Sequence, residues 1–546
     1  MPLLKPEHEK QVLEAAFADK TKGESYYYDA YHFADPLNNP WASESSSTGS
    51  TNPDVFFLET PYSNEHLYDG TLQRAVEKLV GKIIDSPFPV GEHWASFKPA
   101  EEGDGPLSEE NSNKLASVEK KVFKAIHASR FQEQLVPTAR DSAISGTGVL
   151  NVGWDASVER VVFESVNQCH VAFSRGVRDD IWGYYRKKKM TRDMIFSMWP
   201  RTTKRVPPPE DMEKEKTSPE YIQVYESTYY DPKKRIWHYS VMVDKDGPIR
   251  IHSQIFPVSP WMAFRWDVSA GQVQGTGPVF KALPTARMLN GMAQSHLDSV
   301  WLQSRALITY KGDANFNPGV VKIGESSMIR VQSNDPRNPT LAPLILGGNV
   351  QYEESTIRSL QDDIEKIMLI HPLPAITDPV KTATEILAGR EEARMSLGRA
   401  ALRLVSEIAI PVLRAVLWHM FKAGKLPELQ EAFSNNEQML QAPFKLDGSD
   451  IRVEFQSPLV QEARLGIMRS VSEWAQTCIA TMGEEKFREI LSERFAKKLL
   501  DAMKLDSDWM GTPEEIEENR ARNQEQAQPQ QGAANLPQQI PQLGVV

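Results

Sequence analysis

Residues 278–370 place two long helical patterns on either side of a short stretch of strand and turn sequence, and this arrangement constrains the fold more than any other feature. The first, GTGPVFKALPTARMLNGMAQSHLDSVWLQSRAL, opens at Pro278, a residue preorganised for a first helical turn, with Pro284 as a second possible start. Its small residues Ala286, Gly291, Ala293, Ser295 and Ser299 permit close helix approach, which suits packing against copies of itself as well as an ordinary core. The second, QYEESTIRSLQDDIEKIMLI, puts Ile357, Leu360, Ile364 and Ile367 on one face and Glu354, Asp362, Asp363 and Glu365 elsewhere. Between them, ALITYKGDANFNPGVVKIGESSMIRVQSNDPRNPT reads as short strands, with Arg305, Lys311, Lys322, Arg330 and Arg337 set against Asp313, Glu325 and Asp335. The expectation is helix, small basic β tip, helix.

Immediately afterwards comes HPLPAITDPVKTATE, residues 371–385, where Pro372, Pro374 and Pro379 forbid a continuous helix and force a change of direction. Thr382 and Glu385 have capping-box spacing and launch a further helix over 382–424, whose stripe is Leu402, Val405, Ile408, Val412 and Val416. Pro411 lies inside that pattern and is expected to kink it.

The rest of the chain divides by pattern. Its start, including ESYYYDAYHFADPLNNPW, reads as aromatic and turn-rich, followed by a serine-rich loop over 42–52. TLQRAVEKLVGKIID is a helix with Leu72, Val76, Leu79 and Ile83 inside and Arg74, Lys78 and Lys82 outside, and one more helix is expected over about 115–145. Gly146 and Gly148 precede a strand, the reverse of the order a dinucleotide site needs, and read as a turn. An antiparallel β region follows to about residue 256, interrupted by helix and by an exposed proline-rich loop at 204–216. Its RKKK run, 186–189, reads as a solvated strand end rather than a nucleic-acid site.

At 546 residues, two to four packed regions are expected, and 40% hydrophobic residues place the chain in the globular class. A net charge of -11 argues against tight non-specific adhesion to DNA, which depends on cations neutralising phosphates. Cys169 and Cys478 are the only cysteines, so neither a disulfide framework nor a cysteine metal site is indicated, and a reducing cytosol fits. No apolar run suggests a membrane span, and the first residues lack the apolar core of a signal peptide. No GxxxxGK[ST] occurs, since Gly81-Lys82 lacks both the upstream glycine and the following hydroxyl, which speaks against a phosphate-loop ATPase. Scattered carboxylates leave a metal-dependent nuclease as an alternative, and a scaffold that oligomerises through the same helices as another. No catalytic residue, metal ligand or cofactor is assigned.

In order, DGTLQRAVEKLVGKIIDSPF with the tryptophan after it, ARDSAISGTGVLNVG, GTGPVFKALPTARMLN, VKTATEILAGREEARMSLGRAALRLVSEIAIPVLRAVL and EFQSPLVQEAR resemble the head-to-tail connector, or portal, family of short-tailed bacteriophages, over about residues 55–505. The resemblance implies a mainly helical α+β subunit with wing, stem, clip and crown, in a ring of twelve at one capsid vertex, through which double-stranded DNA is packaged and ejected. It implies as partners a packaging terminase, a tail adaptor, and capsid and scaffold proteins, with assembly in the host cytoplasm, residence in the virion, and no enzymatic activity.

Transferred onto this chain, the wing is 1–277 and 382–456, the stem helices 278–305 and 351–370, the clip 306–350, the tunnel loop 371–381 and the crown 457–510, with Ser457 and Pro458 opening the crown. Residues 511–546 form a low-complexity tail expected to be disordered. The resemblance puts His371, Pro372, Pro374, Thr377, Asp378, Lys381 and Thr382 at the channel, with Asp362, Asp363 and Glu365 on its stem wall, and makes Lys311, Lys322, Arg330 and Arg337 the docking face of the clip. An acidic wall suits a channel, because DNA carries a negative charge about every 1.7 Å of its axis and a basic wall would hold it.

Overall fold

The computed structural model describes residues 4–21, 23–41, 66–85, 87–89, 91, 93–99, 109–178, 180–200, 206, 221–244, 247–304, 307–310, 341–344, 350–368, 400, 402–429, 445–446 and 449–455. All lie in the first of the two units into which the chain divides, Met1–Ser457. Expectations for the clip cations, the tunnel loop, the start of the 382–424 helix, the crown, the tail, the serine-rich loop and most of the proline-rich loop fall outside these residues.

The unit mixes helices with antiparallel sheets. Helix α1 is Pro6–Thr21 and α2 is Glu24–Ala34, where the sequence reads as an irregular start. Apolar periodicity misses α1 because polar groups anchor it. The buried Glu9 carboxylate accepts from Ser227, from Ser240 Oγ at 3.3 Å and from Arg250 Nη2 at 2.5 Å. Buried Lys20 donates from Nζ to the main-chain oxygens of Gln168, of Cys169 at 2.8 Å and of Val171 at 2.9 Å.

Helix α3, Thr71–Asp85, buries Leu72, Val76, Leu79 and Ile83 and leaves Arg74, Lys78 and Lys82 exposed, as its spacing predicts. The helix expected over 115–145 is two helices, α4 (Glu109–Ala128) and α5 (Phe131–Ser145). Arg130 breaks them apart at φ 56°, after Ser129 N–H turns back to Ile126 O at 3.1 Å, and the new direction buries Phe131 and Leu135. Gly146 ends α5 at φ 88°; a Cβ on Gly148 would stand 1.8 Å from the Thr138 carbonyl oxygen. Both glycines therefore serve close passage of the chain, and the second lies within a strand rather than a turn.

Strand β1 is Ala95–Pro99, β2 Thr147–Asp155, β3 Arg160–Val166, β4 Val171–Arg175 and β5 Ile181–Met190. The short α6, Arg192–Met198, precedes β6 (Ile222–Asp231), β7 (Ile236–Asp244), β8 (Pro248–Phe256) and β9 (Trp261–Arg265). They form a β3-β2-β9 sheet and a five-stranded meander β4-β5-β6-β7-β8, while β1 pairs with β13, Ser449–Phe455, which also pairs with the two-residue β12, Lys445–Leu446. Hairpins β2–β3 and β6–β7 share one loop design: Asp155 Oδ1 accepts from Ser157 N at 2.8 Å and Asp231 Oδ1 from Lys233 N at 3.0 Å. Each loop ends left-handed, at Glu159 (φ 50°) and Arg235 (φ 55°).

The RKKK run is largely engaged within the fold. Arg186 forks onto Glu164 at 3.2 and 2.7 Å and lies 5.7 Å over the Trp261 ring, tying the two larger sheets together. Burial pushes the Glu164 carboxyl up, and Arg186 more than offsets this, leaving it below the ordinary range. Lys187 lies 4.3 Å over Phe17, and Lys188 stands 4.0 Å from Glu164.

The kinked helix resolves into a π-turn, Val405–Ala409, leading into α9, Ile410–Lys422. Pro411 has no N–H for the carbonyl of residue 407, and its ring crowds that oxygen; the wider turn accommodates both. Arg265 fixes the turn, donating to Glu407 from N at 2.8 Å, Nε at 3.1 Å and Nη2 at 2.6 Å. Ile408, Val412 and Val416 are buried as predicted, but Leu402 is 73% exposed. The segment Leu402–Lys422 is long and apolar enough to cross a bilayer by composition, contrary to the sequence reading, yet in this fold it supplies core residues such as Leu413 and Leu417.

Candidate functional site

Helix α7, Pro278–Ser304, runs unbroken through Pro284. Strands β10 (Leu307–Tyr310) and β11 (Leu341–Leu344) pair antiparallel beyond it, and α8, Val350–Ile367, returns. The expected helix, β tip, helix order is present. The two helices are antiparallel, since His296 lies 3.4 Å from Glu353 near one end, while Asn290 and Gln361 meet the same short segment, 66–69, near the other.

That segment fixes the base of the hairpin. Tyr68 N donates to Asn290 Oδ1 at 2.7 Å, Asn290 Nδ2 to His66 O at 2.8 Å, and Gln361 Nε2 to Asp69 Oδ2 at 2.8 Å. Asp69 Oδ1 also accepts from Thr71 N at 2.8 Å at the start of α3, so one carboxylate starts a helix and holds the hairpin. Val279, Ala282, Leu283, Ala286 and Leu289 bury the first half of α7, and Ile364 and Met368 the end of α8.

Past Leu289, none of the α7 side chains described, 290–301, is fully buried within this subunit. Leu297 is 52% exposed, Val300 42% and Trp301 57%, and their spacing places all three on one side of the helix. Sequence reading dwelt on the small residues of this helix and missed these large ones. The signal was there in LDSVWL, where apolar residues continue although α8 offers only one face to cover them.

Of the residues singled out for a channel wall, Asp362 and Asp363 are exposed on α8, and Asp363 pairs with Lys366 at 3.4 Å. Glu365 is tied to Lys78 of α3 at 3.5 Å. Glu354 pairs with Arg358 at 2.6 Å, so the solvent side of α8 alternates in charge. A shallow dent of about 370 Å³ lies among Glu354, Ser355, Arg358, Ser359, Asp362 and Lys366. His371, Pro372, Pro374, Thr377, Asp378, Lys381 and Thr382, and Lys311, Lys322, Arg330 and Arg337, lie outside the described residues.

Among the described residues no group of three or more His, Cys, Asp or Glu side chains is arranged to hold a metal ion. The chain belongs to the bacteriophage head to tail connecting protein family, whose sequence profile matches residues 7–510. The probable portal protein of Bordetella phage BPP-1 is 27% identical over 279 residues, 50% of this chain and 48% of that protein, so the match spans about half the relative's length. Among solved structures, a chain of the virion of a native gene transfer agent particle aligns over 80% of this chain and 92% of its own, with 12% identity and a TM-score of 0.35. A chain from the neck of an empty gene transfer agent particle aligns over 81% and 94%, with 13% identity and a TM-score of 0.36.

Proposed function

We propose that this chain is the portal subunit of a tailed phage, forming a ring at one capsid vertex through which double-stranded DNA is packaged and ejected. Beyond family membership, one observation carries this reading: a helical hairpin along which Leu297, Val300 and Trp301 keep about half of their surface exposed within the subunit. Neighbouring hairpins in a ring would cover them.

In this reading α7 and α8 are stem, residues 306–350 clip, 371–381 tunnel loop, and 457–510 crown; the remaining body, apart from the tail, is wing. Asp362 and Asp363, exposed on α8, are the stem carboxylates available to repel DNA, whereas Glu365 braces α3. The motor and tail adaptor dock on the clip cations Lys311, Lys322, Arg330 and Arg337, and the proline-stiffened loop from His371 sets the bore. The subunit acts by shape and charge and turns over neither ATP nor DNA.

Negative-stain images of the purified full chain are expected to contain rings with a central hole. Particles of uniform size without a hole would favour the scaffold or tail-adaptor reading. Hydrolysis of ATP, or cleavage of duplex DNA with Mg²⁺, that a point mutation in this chain abolishes would overturn the non-enzymatic part.

A further inference from the structure

A second basic run, unlike RKKK, makes no ion pair among the described residues. The β6–β7 loop, 232–235, carries Lys233, Lys234 and Arg235, all exposed. Pairing of β5 with β6 brings the β4–β5 turn to the same end of the five-stranded sheet, where Arg178 is also exposed. None of these four cations makes an ion pair among the described residues. The anions described at this end are Asp180, which is exposed, and Asp231, which is buried and accepts from the Lys233 amide; Asp179 lies outside the described residues.

The backbone adds an independent observation. Arg235 closes the loop at φ 55°, a conformation that glycine adopts freely and a long side chain does not. The matching position of the twin hairpin, Glu159, also departs from glycine, and its carboxylate pairs with Lys425. Thus one twin uses its strained residue for an internal ion pair, while the other holds a guanidinium out to solvent.

We infer that the β6–β7 tip, with Arg178 beside it, is a phosphate-backbone contact for duplex DNA, separate from the helical hairpin. An acidic protein is the less fitting occupant. Protein interfaces centre on several buried aromatic or apolar anchors, and here the loop has no apolar residue beyond Pro232 and the neighbouring turn only Val177, whereas phosphate contacts need only positioned cations. The inference rests on the proposed portal reading for the presence of DNA. It assigns no base specificity.

The test measures affinity of the full-length protein for a mixed-sequence duplex of about 30 base pairs across a salt series, in which each lost phosphate contact lowers the slope of log affinity against log salt by about 0.9. Replacing Lys233, Lys234 and Arg235 together with Gln is expected to lower the slope by up to about 2.7 for each engaged tip, with rings still visible by negative stain. Arg235→Gly keeps the inference falsifiable if the triple variant folds poorly. Glycine relieves the backbone, so its melting temperature should rise while its salt slope falls by about 0.9.

Three results would overturn the inference: no duplex binding by the parent protein at low salt, an unchanged slope in both variants, or equal binding of polyglutamate. Any of these, obtained with perforated rings, leaves the portal reading standing. Absence of perforated rings would defeat that reading whatever the slopes.

Discussion

Asp141 is a carboxyl enclosed by protein between α2 and α5, with the Tyr31 hydroxyl donating to its Oδ1 at 2.8 Å. Burial pushes its pKa from 3.8 up to about 7, against the opposing pull of Tyr31. The folded state therefore holds a proton that the unfolded chain releases, and the resulting stability, present below pH 4, is lost as pH rises through 7. His419 behaves in the opposite sense. Burial, with Lys422 nearby, lowers its pKa from 6.5 to about 4, so its contribution is complete above pH 6.5 and is lost as pH falls toward 4. His170 is lowered to about 4 as well, by burial and then by Lys20, and reinforces that acid loss. Asp141→Asn is expected to raise the melting temperature above pH 7 and to remove the decline contributed between pH 4 and 7. His419→Gln is expected to flatten the acid side instead. Melting curves from pH 4 to 8 check both, and parallel profiles for parent and variants would contradict the assignment.

Between elements, the Arg265–Glu407 clamp joins β9 to the π-turn, with Arg403 Nη1 also 3.4 Å from Glu407. The pair is partly buried, and Arg403 stays within reach of Glu407 when Arg265 is removed, so the loss is mainly that of the charge-assisted hydrogen bonds and Arg265→Ala is expected to cost about 2 kcal/mol. The same change in a Glu407→Ala background should cost much less, and denaturant midpoints of the four proteins close that cycle. The π-turn also explains what the sequence could convey. A stripe counted in straight α-helical steps holds from Ile408 through Val416, but the turn's wider winding shifts its phase. Upstream, the buried face runs through Ala400 and Leu404, and Leu402 is turned out. Helices α3, α7 and α8 and the β6–β8 meander were legible because their apolar periods have local causes. The break at Arg130 was not, since Ser129 and Arg130 carry no glycine or proline signal. Helix α1 was hidden because charges anchor it. At the candidate site, the carboxylates of α8 could be read, but not their engagement: Lys78 and Asp69 reach that helix from nearly three hundred residues earlier in the chain.

On the scale of the whole molecule, two opposing forces would act on the association of subunits in the proposed ring. Each chain carries a formal charge of -11, so assembling many copies concentrates negative charge, with a repulsion that salt screens over roughly 8 Å at physiological ionic strength. Against this stand Leu297, Val300 and Trp301, each about half exposed, whose remaining surface a neighbour would bury for roughly 1 kcal/mol per side chain, little weakened by salt. Assembly should therefore strengthen as salt rises from low to physiological levels, the reverse of what ion pairs between subunits would produce. Changing Leu297 and Trp301 together to Ser should leave the subunit folded, because neither side chain is buried within it, while shifting the population from rings to monomers. Mass photometry across a salt series reads both effects at once. Rings that persist in the double variant would place the association surface elsewhere on the chain, and rings that dissolve with added salt would make charge pairing the dominant contact.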